Sequence, residues 1–205
     1  MTIRTIITEP NPLLRQVSKP VDQVGKEEQI LMDDMLDTMY HAPGIGLAAP
    51  QIGILSRIIV MDCEKEEAAK RKPIVMINPE IVASSDEENI YEEGCLSIPE
   101  QFAEVKRPSF VQVKWLDKDG AEQLQEFDGL WSTCVQHEID HLNGRLFIDY
   151  LGAIKRQLIT RKMQKFKITI LQMYKHENIQ IYTYIYKYTN IQIYKYTNIQ
   201  IYKYT

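Results

Sequence analysis

The sequence predicts an α+β fold, with one domain over residues 1–167 in which an antiparallel or mixed sheet packs around a central helix. The chain has 205 residues, which suits one domain of ordinary size with some surplus. β-branched and aromatic residues cluster repeatedly over residues 57–127, which indicates consecutive strands rather than a βαβ array. Apolar residues recur at helical spacing over residues 26–41 and 129–142, so helices are expected on either side of the strand region.

The N-terminal segment is predicted to be helical and then irregular. Asn11 is a preferred N-cap residue and Pro12 suits the first helical position, so a short helix is expected through Arg15. Residues 26–41 predict an amphipathic helix without internal proline or glycine. Its apolar residues are Ile30, Met32, Met35, Leu36 and Met39. Residues 43–51 contain two prolines and two glycines, and they predict a loop whose backbone can approach a ligand closely.

The strand predictions rest on three apolar clusters and one hairpin. The clusters are residues 58–61, 74–77 and 110–115. Asp117, Asp119 and Gly120 predict a tight turn between a strand near residues 111–116 and another near residues 122–127. These last two strands should therefore pair in antiparallel fashion.

Two further helices complete the predicted domain. Asp128 can cap a helix over residues 129–142, and Asn143 with Gly144 suits a left-handed C-terminal end. Another helix is expected over roughly residues 152–168. Its residues predicted to face the core are Ile154, Leu158, Ile159, Met163 and Phe166.

Composition and charge disfavour several classes of protein. The net charge of −4 gives no general attraction to nucleic acid, although residues 155–167 carry six basic residues and no acidic one. Three cysteines make an odd number, so ligand or core roles are favoured over a disulfide framework. The first residues lack the pattern of a secretory signal, and no apolar stretch of about 18 residues follows. We therefore expect a soluble, cytoplasmic protein that does not cross a membrane.

The strongest chemical signal lies inside the predicted central helix, as His137-Glu138-Ile139-Asp140-His141. This is an H-E-x-x-H motif, in which two histidines four residues apart share one helix face and reach a single cation. The glutamate beside the first histidine can handle a proton. A five-residue pattern also arises by chance, and the two histidines would then be ordinary core or surface residues.

The helical periodicity supports a separate face for chemistry. At about 100° per residue, four residues of this helix fall within about 60° of one another. They are Leu130, Cys134, His137 and His141. The apolar residues of a different side are Val135, Ile139 and Leu142. The helix is therefore predicted to be buried on two sides, one catalytic and one in the core.

A catalytic metal site needs a third protein ligand from elsewhere in the chain and a position left open for water. Cys95 follows Gly94, and a glycine at this place lets the backbone approach a metal closely. Taken alone, Cys95 would more often be a buried, inert residue. Combined with the two motif histidines, it makes a Cys-His-His site the better explanation.

Two other functions compete for the same residues. A metallopeptidase also uses an H-E-x-x-H motif, but it usually takes a carboxylate or a histidine after the motif as third ligand. A structural zinc module would only bind a partner, and such sites are usually closed by four protein ligands. The other histidine and cysteines of the domain lack motif spacing: His41, Cys63 and Cys134. A hydrolase with an open metal site is the favoured interpretation.

Three segments, residues 44–51, 93–97 and 137–141, resemble in order and spacing the three signature motifs of the peptide deformylases. They read Gly-Ile-Gly-Leu-Ala-Ala-Pro-Gln, Glu-Gly-Cys-Leu-Ser and His-Glu-Ile-Asp-His. The chain is similar to the bacterial type of that family from its first residues to about residue 167, roughly four fifths of its length. The resemblance implies a metal-dependent hydrolase that removes the formyl group from the N-terminal methionine of newly made proteins.

The resemblance also implies the metal and its ligands. Cys95, His137 and His141 would hold one divalent ion, which is normally Fe²⁺ in this family, with Ni²⁺ or Zn²⁺ as alternatives. One set of a thiolate and two imidazoles suits several metals, so the residues do not choose among them. A bound cation of this kind lowers the pKa of its water toward neutrality.

Further roles follow from the same resemblance. Glu138 would act as general base and then as general acid, while the Gln51 amide and the backbone N–H of Leu96 would stabilise an oxyanion. Residues expected to contact the substrate, or to line a pocket for its methionine side chain, are Gly44, Ile45, Gly46, Tyr91, Gly94, Leu130 and Cys134. Simple core packing explains the side chains in that set nearly as well. Glu93 and Asp140 would orient a ligand or form ordinary ion pairs, with Arg107 as a partner.

The remaining expectations concern partners and the C-terminal segment. The substrates would be N-formylmethionyl nascent peptides, and a monomer is expected. Residues 155–167 would bind ribosomal RNA near the exit tunnel, or they would simply form a solvated basic face. Residues 168–205 depart from the family and repeat Tyr-Lys-Tyr-Thr-Asn-Ile-Gln-Ile with a period of eight residues. So few short copies cannot build a stable repeat domain, and we predict that this segment takes no part in catalysis.

Overall fold

The strands that the structure describes form two antiparallel sheets. The computed structural model describes residues 2–64 and 71–175, with side chains through residue 168. In chain order, strands β1 to β7 span Gly46–Ala48, Ile58–Met61, Ile74–Ser84, Glu88–Cys95, Ile98–Pro108, Phe110–Leu116 and Glu122–Asp128. Five of them pair in the order β1–β2–β3–β6–β7, and β4 pairs with β5 as a separate hairpin. The ladders between these strands are all antiparallel, which confirms the predicted sheet class.

The predicted clusters fall in β2, β3, β6 and β7, whereas the other three strands were not predicted. Residues 43–51, expected to be a loop, contain β1 and most of a 3-10 turn at Ala49–Ile52. A strand of three residues with alanine and glycine gives no apolar alternation to detect. The sequence of β4 is mostly polar, with Glu88 and Glu92 exposed and Glu93 buried, and it forms no apolar cluster either.

The first two helices begin and end as predicted. Helix α1 spans Lys26–His41, and helix α2 spans Gly129–Leu142. Asp128 occupies the N-cap position of α2 but its side chain makes no capping hydrogen bond. Beyond the C-terminal end of α2, Gly144 has a φ of 70°, a left-handed conformation that glycine adopts without steric cost.

Strand β2 joins the two halves of the core because both of its faces are buried. Ile58 and Val60 belong to the apolar cluster that contains the methionines of α1. Ile59 and Met61 point to the other side and belong to the cluster that contains the apolar face of α2. The five-stranded sheet is therefore sandwiched between α1 and α2, which confirms an α+β fold arranged around a central helix.

Helix α3 spans Ala153–Lys175 and continues past the predicted end at residue 168. Ile159 and Met163 are buried as predicted, but Ile154 and Leu158 are 79% and 54% exposed, which corrects their predicted core positions. At about 100° per residue they lie more than about 90° away from Ile159, so the helix cannot bury all of them on one stripe.

Two compact units divide the chain at residue 160. The elements up to Thr160 belong to the first unit, and the chain from Arg161 onward belongs to the second. Within the second unit, the structure describes only the part of α3 that ends at Lys175. The eight-residue repeat lies outside the described residues. Among the helices that are described, none combines the length and apolar character needed to span a bilayer.

Candidate active site

The two histidines of the H-E-x-x-H motif lie on one buried face of α2. His137 and His141 are 8% and 1% exposed, and their ring centroids are 5.0 Å apart. The other predicted face of the helix is buried in the core through Val135, Ile139 and Leu142. The helix therefore has two buried sides, as its periodicity predicted.

The predicted third ligand lies at the tip of the β4–β5 hairpin. Cys95 pairs with Ile98 across a turn of two residues. Its Sγ atom is 3.2 Å from Nε2 of His141. One ligand atom from each of Cys95, His137 and His141 lies within 4.8 Å of the other two. A thiolate and two imidazoles at this spacing fit one divalent metal ion, with a fourth position left for water or substrate.

The two imidazoles differ in protonation: burial alone would lower the pKa of both rings, but the side chains of Cys95 and Glu93 raise the pKa of His137 well above its usual range. Burial lowers the pKa of His141 well below its usual range, so this ring is neutral and can offer a lone pair. Nδ1 of His137 lies 2.8 Å from a carboxylate oxygen of Glu93. Burial alone would raise the pKa of Glu93, but hydrogen bonds from His137 and Arg107 outweigh burial and lower that pKa. The ionised carboxylate accepts the Nδ1–H of His137, so that Nε2 of that ring can bind a metal once it gives up its own proton.

Arg107 is a buried cation that pairs with the carboxylates of Glu93 and Asp140. Its Nε and Nη2 donate to the two oxygens of Glu93 at 2.6 Å and 3.1 Å. Its Nη1 donates to Oδ2 of Asp140 at 2.7 Å. Both acidic residues therefore pair with Arg107, and Glu93 also contacts a motif histidine.

Glu138 occupies a space that only a glycine can leave open. A Cβ atom added to Gly46 would lie 2.8 Å from Cδ of Glu138 and 3.0 Å from Sγ of Cys134. Glu138 is 4% exposed, and burial raises its pKa to about 7. Among the described residues, its Oε2 atom is buried without a hydrogen-bond partner. A carboxyl group of this kind can accept and release a proton near neutral pH.

The Gln51 amide is fixed in position beside the cysteine. Its Oε1 accepts a hydrogen bond from the Ala48 N–H at 2.8 Å. Its Nε2 then points the other way, 3.2 Å from Oγ of Ser97 and 3.5 Å from Sγ of Cys95. Gln51 is 1% exposed, so the amide is both buried and oriented. It presents an N–H donor to the neighbourhood of the candidate metal ligands.

Three of the predicted pocket residues lie against the motifs themselves. A Cβ added to Gly44 would lie 2.6 Å from Cδ1 of Leu96, so this loop and the β4–β5 turn touch closely. Cys134 is 4% exposed, and its Sγ lies 3.7 Å from the carbonyl oxygen of Ile45. The structure therefore brings the first loop onto the histidine face of α2, as the motif comparison implied.

The other predicted pocket residues are less enclosed. The ring of Phe102 covers Gly94, so that an added Cβ would meet its Cε1 at 2.6 Å. The hydroxyl of Tyr91 lies near the start of α2, 3.6 Å from a Cβ built on Gly129. Leu130 is 41% exposed, which suits a pocket rim rather than a core position.

Two side chains that contact site residues were not predicted from the sequence. Ser97 accepts a hydrogen bond from the Gln51 amide. Its place inside the second motif is the sequence signal that could have identified it. Tyr150 donates to Asp140, with its hydroxyl 2.9 Å from Oδ2 and 3.1 Å from Oδ1. Nothing in the sequence pattern marks Tyr150, because this contact depends on how the turn after α2 folds back.

Comparison with known proteins gives a consistent result. Residues 3–157 match the family model described as polypeptide deformylase. The chain is 57% identical over 167 residues to a peptide deformylase of Pelagibacter ubique, a match that covers 82% of this chain and 96% of that protein. It is 53% identical over 165 residues to a peptide deformylase of Rhizobium meliloti, covering 80% and 94% of the two chains.

Solved structures agree with the sequence relatives. The crystal structure of peptide deformylase from Ehrlichia chaffeensis superposes with a TM-score of 0.78 at 39% identity, covering 83% of this chain and 99% of that one. A plant peptide deformylase superposes with a TM-score of 0.77 at 34% identity, covering 84% and 94% of the two chains. The fold is therefore shared with these solved structures. The chain belongs to the peptide deformylase family, hydrolases that remove the N-formyl group from nascent peptides.

Proposed function

We propose that Cys95, His137 and His141 hold the single metal ion with which this chain removes the formyl group of N-formylmethionyl nascent peptides. The observation that carries the assignment is the convergence of their ligand atoms within 4.8 Å. We infer that the ion in the cell is Fe²⁺, the metal normal for the family, because a set of one thiolate and two imidazoles accommodates it. Zn²⁺ and Ni²⁺ suit the same ligands and remain alternative occupants.

Glu138 carries the proton through the reaction. A divalent cation held by these ligands would supply a water of lowered pKa and would polarise the formyl carbonyl. Glu138 takes a proton from the attacking water and delivers it to the departing amine, so that formate and a free N-terminus are released. The buried position of Glu138 against Gly46 supports this role, because it holds the carboxylate beside the ligands without being one of them.

Two N–H donors stabilise the negative charge that develops on the formyl oxygen. Gln51 supplies one, since its amide is fixed by the Ala48 N–H and directed toward Cys95. The backbone N–H of Leu96, in the β4–β5 turn, supplies the other. Donors that are already in place when the charge forms need no reorganisation, and removal of one typically costs about 10² to 10³ in rate.

The methionine side chain of the substrate is held between the first loop and α2. The assigned contacts come from both elements and from β4: Gly44, Ile45, Gly46, Tyr91, Gly94, Leu130 and Cys134. Support comes from the contact of Cys134 with Ile45 and from the half-exposed position of Leu130. An apolar lining of this kind would favour an apolar side chain such as that of methionine.

A formylated Met-containing tripeptide and its N-acetyl analogue separate this function from peptidase activity. We expect rapid release of formate from the first and little release of acetate from the second, because a methyl group in place of the formyl hydrogen makes the carbonyl carbon bulkier and less electrophilic. Peptide bonds in both should remain intact. Cleavage of either tripeptide into amino acids, measured by chromatography, would contradict the assignment.

We infer that the enzyme works in the cytoplasm as a monomer and meets its substrates at the ribosome. The charge of α3 supports the meeting with the ribosome, because its six basic side chains are all exposed. They are Lys155, Arg156, Arg161, Lys162, Lys165 and Lys167. Cations in such number attract phosphate groups of RNA in a salt-dependent manner.

We also infer that residues beyond 167 are dispensable for catalysis, and a chain ending at Lys167 tests this. It contains every assigned site residue and all six basic residues, so it should keep its metal content, its deformylation rate and its salt-sensitive co-sedimentation with ribosomes. Reversal of the six charges in the full chain is the control, and it should reduce co-sedimentation without changing the rate. Loss of activity from a folded chain ending at Lys167 would place the boundary elsewhere.

A further inference from the structure

A chain of charged hydrogen bonds leads from a candidate metal ligand to the protein surface. It begins at Nδ1 of His137, which lies 2.8 Å from Glu93, and continues through Arg107. Nη1 of Arg107 is 2.7 Å from Asp140, which belongs to the same helix as the histidines. The last member is Tyr150, whose hydroxyl donates to Asp140 at 2.9 Å. Four elements of the fold contribute residues to this series of hydrogen bonds: β4, β5, α2 and the 3-10 turn Phe147–Tyr150.

Burial changes sharply along these contacts. The side chains of Arg107 and Glu93 are 3% and 4% exposed, and that of Asp140 is 12% exposed. Tyr150 is 46% exposed, so it closes the charged cluster from the outside. The guanidinium of Arg107 also lies over the Tyr150 ring, 4.7 Å from its centroid. The tyrosine therefore contacts the cluster twice, through its hydroxyl and through its ring.

Two carboxylates share one guanidinium in this cluster. Arg107 gives two N–H groups to Glu93 and one to Asp140, so any change in the charge of Asp140 alters how firmly Glu93 is held. The hydroxyl of Tyr150 donates a hydrogen bond to the Asp140 carboxylate and so partly stabilises its negative charge. Without it, Asp140 would attract Arg107 more strongly and weaken the contact that fixes Glu93.

We propose that Tyr150 is a positioning residue for the metal site, acting through Asp140 and Arg107 on the Glu93 carboxylate that orients His137. This inference rests on the proposed role of His137 as a metal ligand. Groups that hold a ligating histidine commonly change metal affinity by about 10- to 100-fold when they are removed. Tyr150 lies three contacts beyond Glu93, so its effect should lie at or below the lower end of that range.

Replacement of Tyr150 by phenylalanine tests the proposal without disturbing the ring contact. The measurement is the rate at which a chelator removes Co²⁺ from the full-length, cobalt-loaded protein, followed by the absorption of the Co²⁺–thiolate bond. We expect Tyr150→Phe to release Co²⁺ about three- to tenfold faster than the natural sequence. An altered visible spectrum of the bound Co²⁺ should accompany this, because the orientation of one imidazole is less well fixed.

Tyr40 provides a matched control. Its hydroxyl donates to Asp62 at 2.6 Å, a similar contact between a tyrosine and a carboxylate, and neither residue belongs to the cluster around Arg107. Tyr40→Phe should lower thermal stability by a comparable amount and leave the release of Co²⁺ unchanged. An effect of both variants on release would indicate general loosening of the fold and would overturn the proposal.

A double-variant cycle with Glu93→Gln distinguishes positioning from structural damage. If Tyr150 acts through Glu93, Tyr150→Phe should have little further effect on Co²⁺ release once Glu93 has lost its charge. Equal effects in both backgrounds, or an unchanged release rate in the single variant, would overturn the proposal. A natural-sequence chain that binds no Co²⁺ would refute the metal assignment itself, and the inference with it, which is a different and separately recognisable result.

Discussion

Replacement of Glu138 by alanine is expected to lower formate release by about 10² to 10⁴-fold while one metal ion stays bound. Glu138 is not one of the three candidate ligands, so its loss leaves the metal site intact. The carboxylate is the group placed to move a proton between the attacking water and the leaving amine. A small side chain at this buried position cannot replace it.

Two measurements are needed on the same purified variant: bound metal by elemental analysis and formate release from a formylated Met-containing peptide. Glu138→Gln retains the shape of the side chain and should be nearly as inactive as alanine. Glu9→Gln is a matched control, because Glu9 is another buried glutamate at 7% exposure that has no assigned role in the site. Near-normal turnover in Glu138→Ala would show that another group carries the proton.

Alanine variants of Cys95, His137 and His141 should each lose most of their bound metal and, with it, almost all activity. Each substitution leaves two protein ligands, which is below the three that a catalytic site of this type uses. The loss should be largest for Cys95→Ala under reducing conditions, because the thiolate is the only charged ligand of the set.

The chain contains matched controls for this experiment as well. His41→Ala and Cys63→Ala remove a histidine and a cysteine that lie outside the candidate site, and both should retain one metal ion per chain. Metal content is measured after gel filtration in metal-free buffer, with circular dichroism to verify folding. Unchanged stoichiometry in all three ligand variants would rule the assignment out.

The metal-binding helix was predictable because its signal is local. About one and a half turns of α2 contain His137, Glu138 and His141. The apolar face opposite them follows from the same helical periodicity. The assignment of Cys95 needed the two motif histidines as context, since a lone cysteine between Gly94 and Leu96 gives no periodic pattern. The structure then places its Sγ beside His141, 46 residues away in sequence.

The supporting contacts were not predictable to the same degree because they depend on pairing between distant segments. Arg107 reaches Glu93 only through the β4–β5 hairpin, whose strands show few apolar residues in sequence. Its contact with Asp140 spans 33 residues. Charged residues in such strands look like a solvated surface until the fold shows that they are buried.

The short strand β1 illustrates a different limit. Glycine and proline in residues 43–51 indicated a loop, and propensity alone supports that prediction. Pairing of Gly46 with Met61 in β2 nevertheless makes it a strand, because the sheet edge supplies hydrogen bonds that the local sequence does not reveal. The prediction that its backbone approaches the site closely agrees with the contact between Gly46 and Glu138.

Because Cys95 lies at the tip of the β4–β5 hairpin, the stability of the folded chain should depend on the supply of metal. An ion bound by this cysteine and by the histidines of α2 would tie the two-stranded sheet to the centre of the molecule. A ligand that binds only the folded form adds to the free energy of unfolding, by about 2.7 kcal/mol when its concentration is one hundred times its Kd. Scarcity of the metal would therefore reduce the abundance of the enzyme through unfolding and proteolysis, in addition to reducing the activity of each molecule.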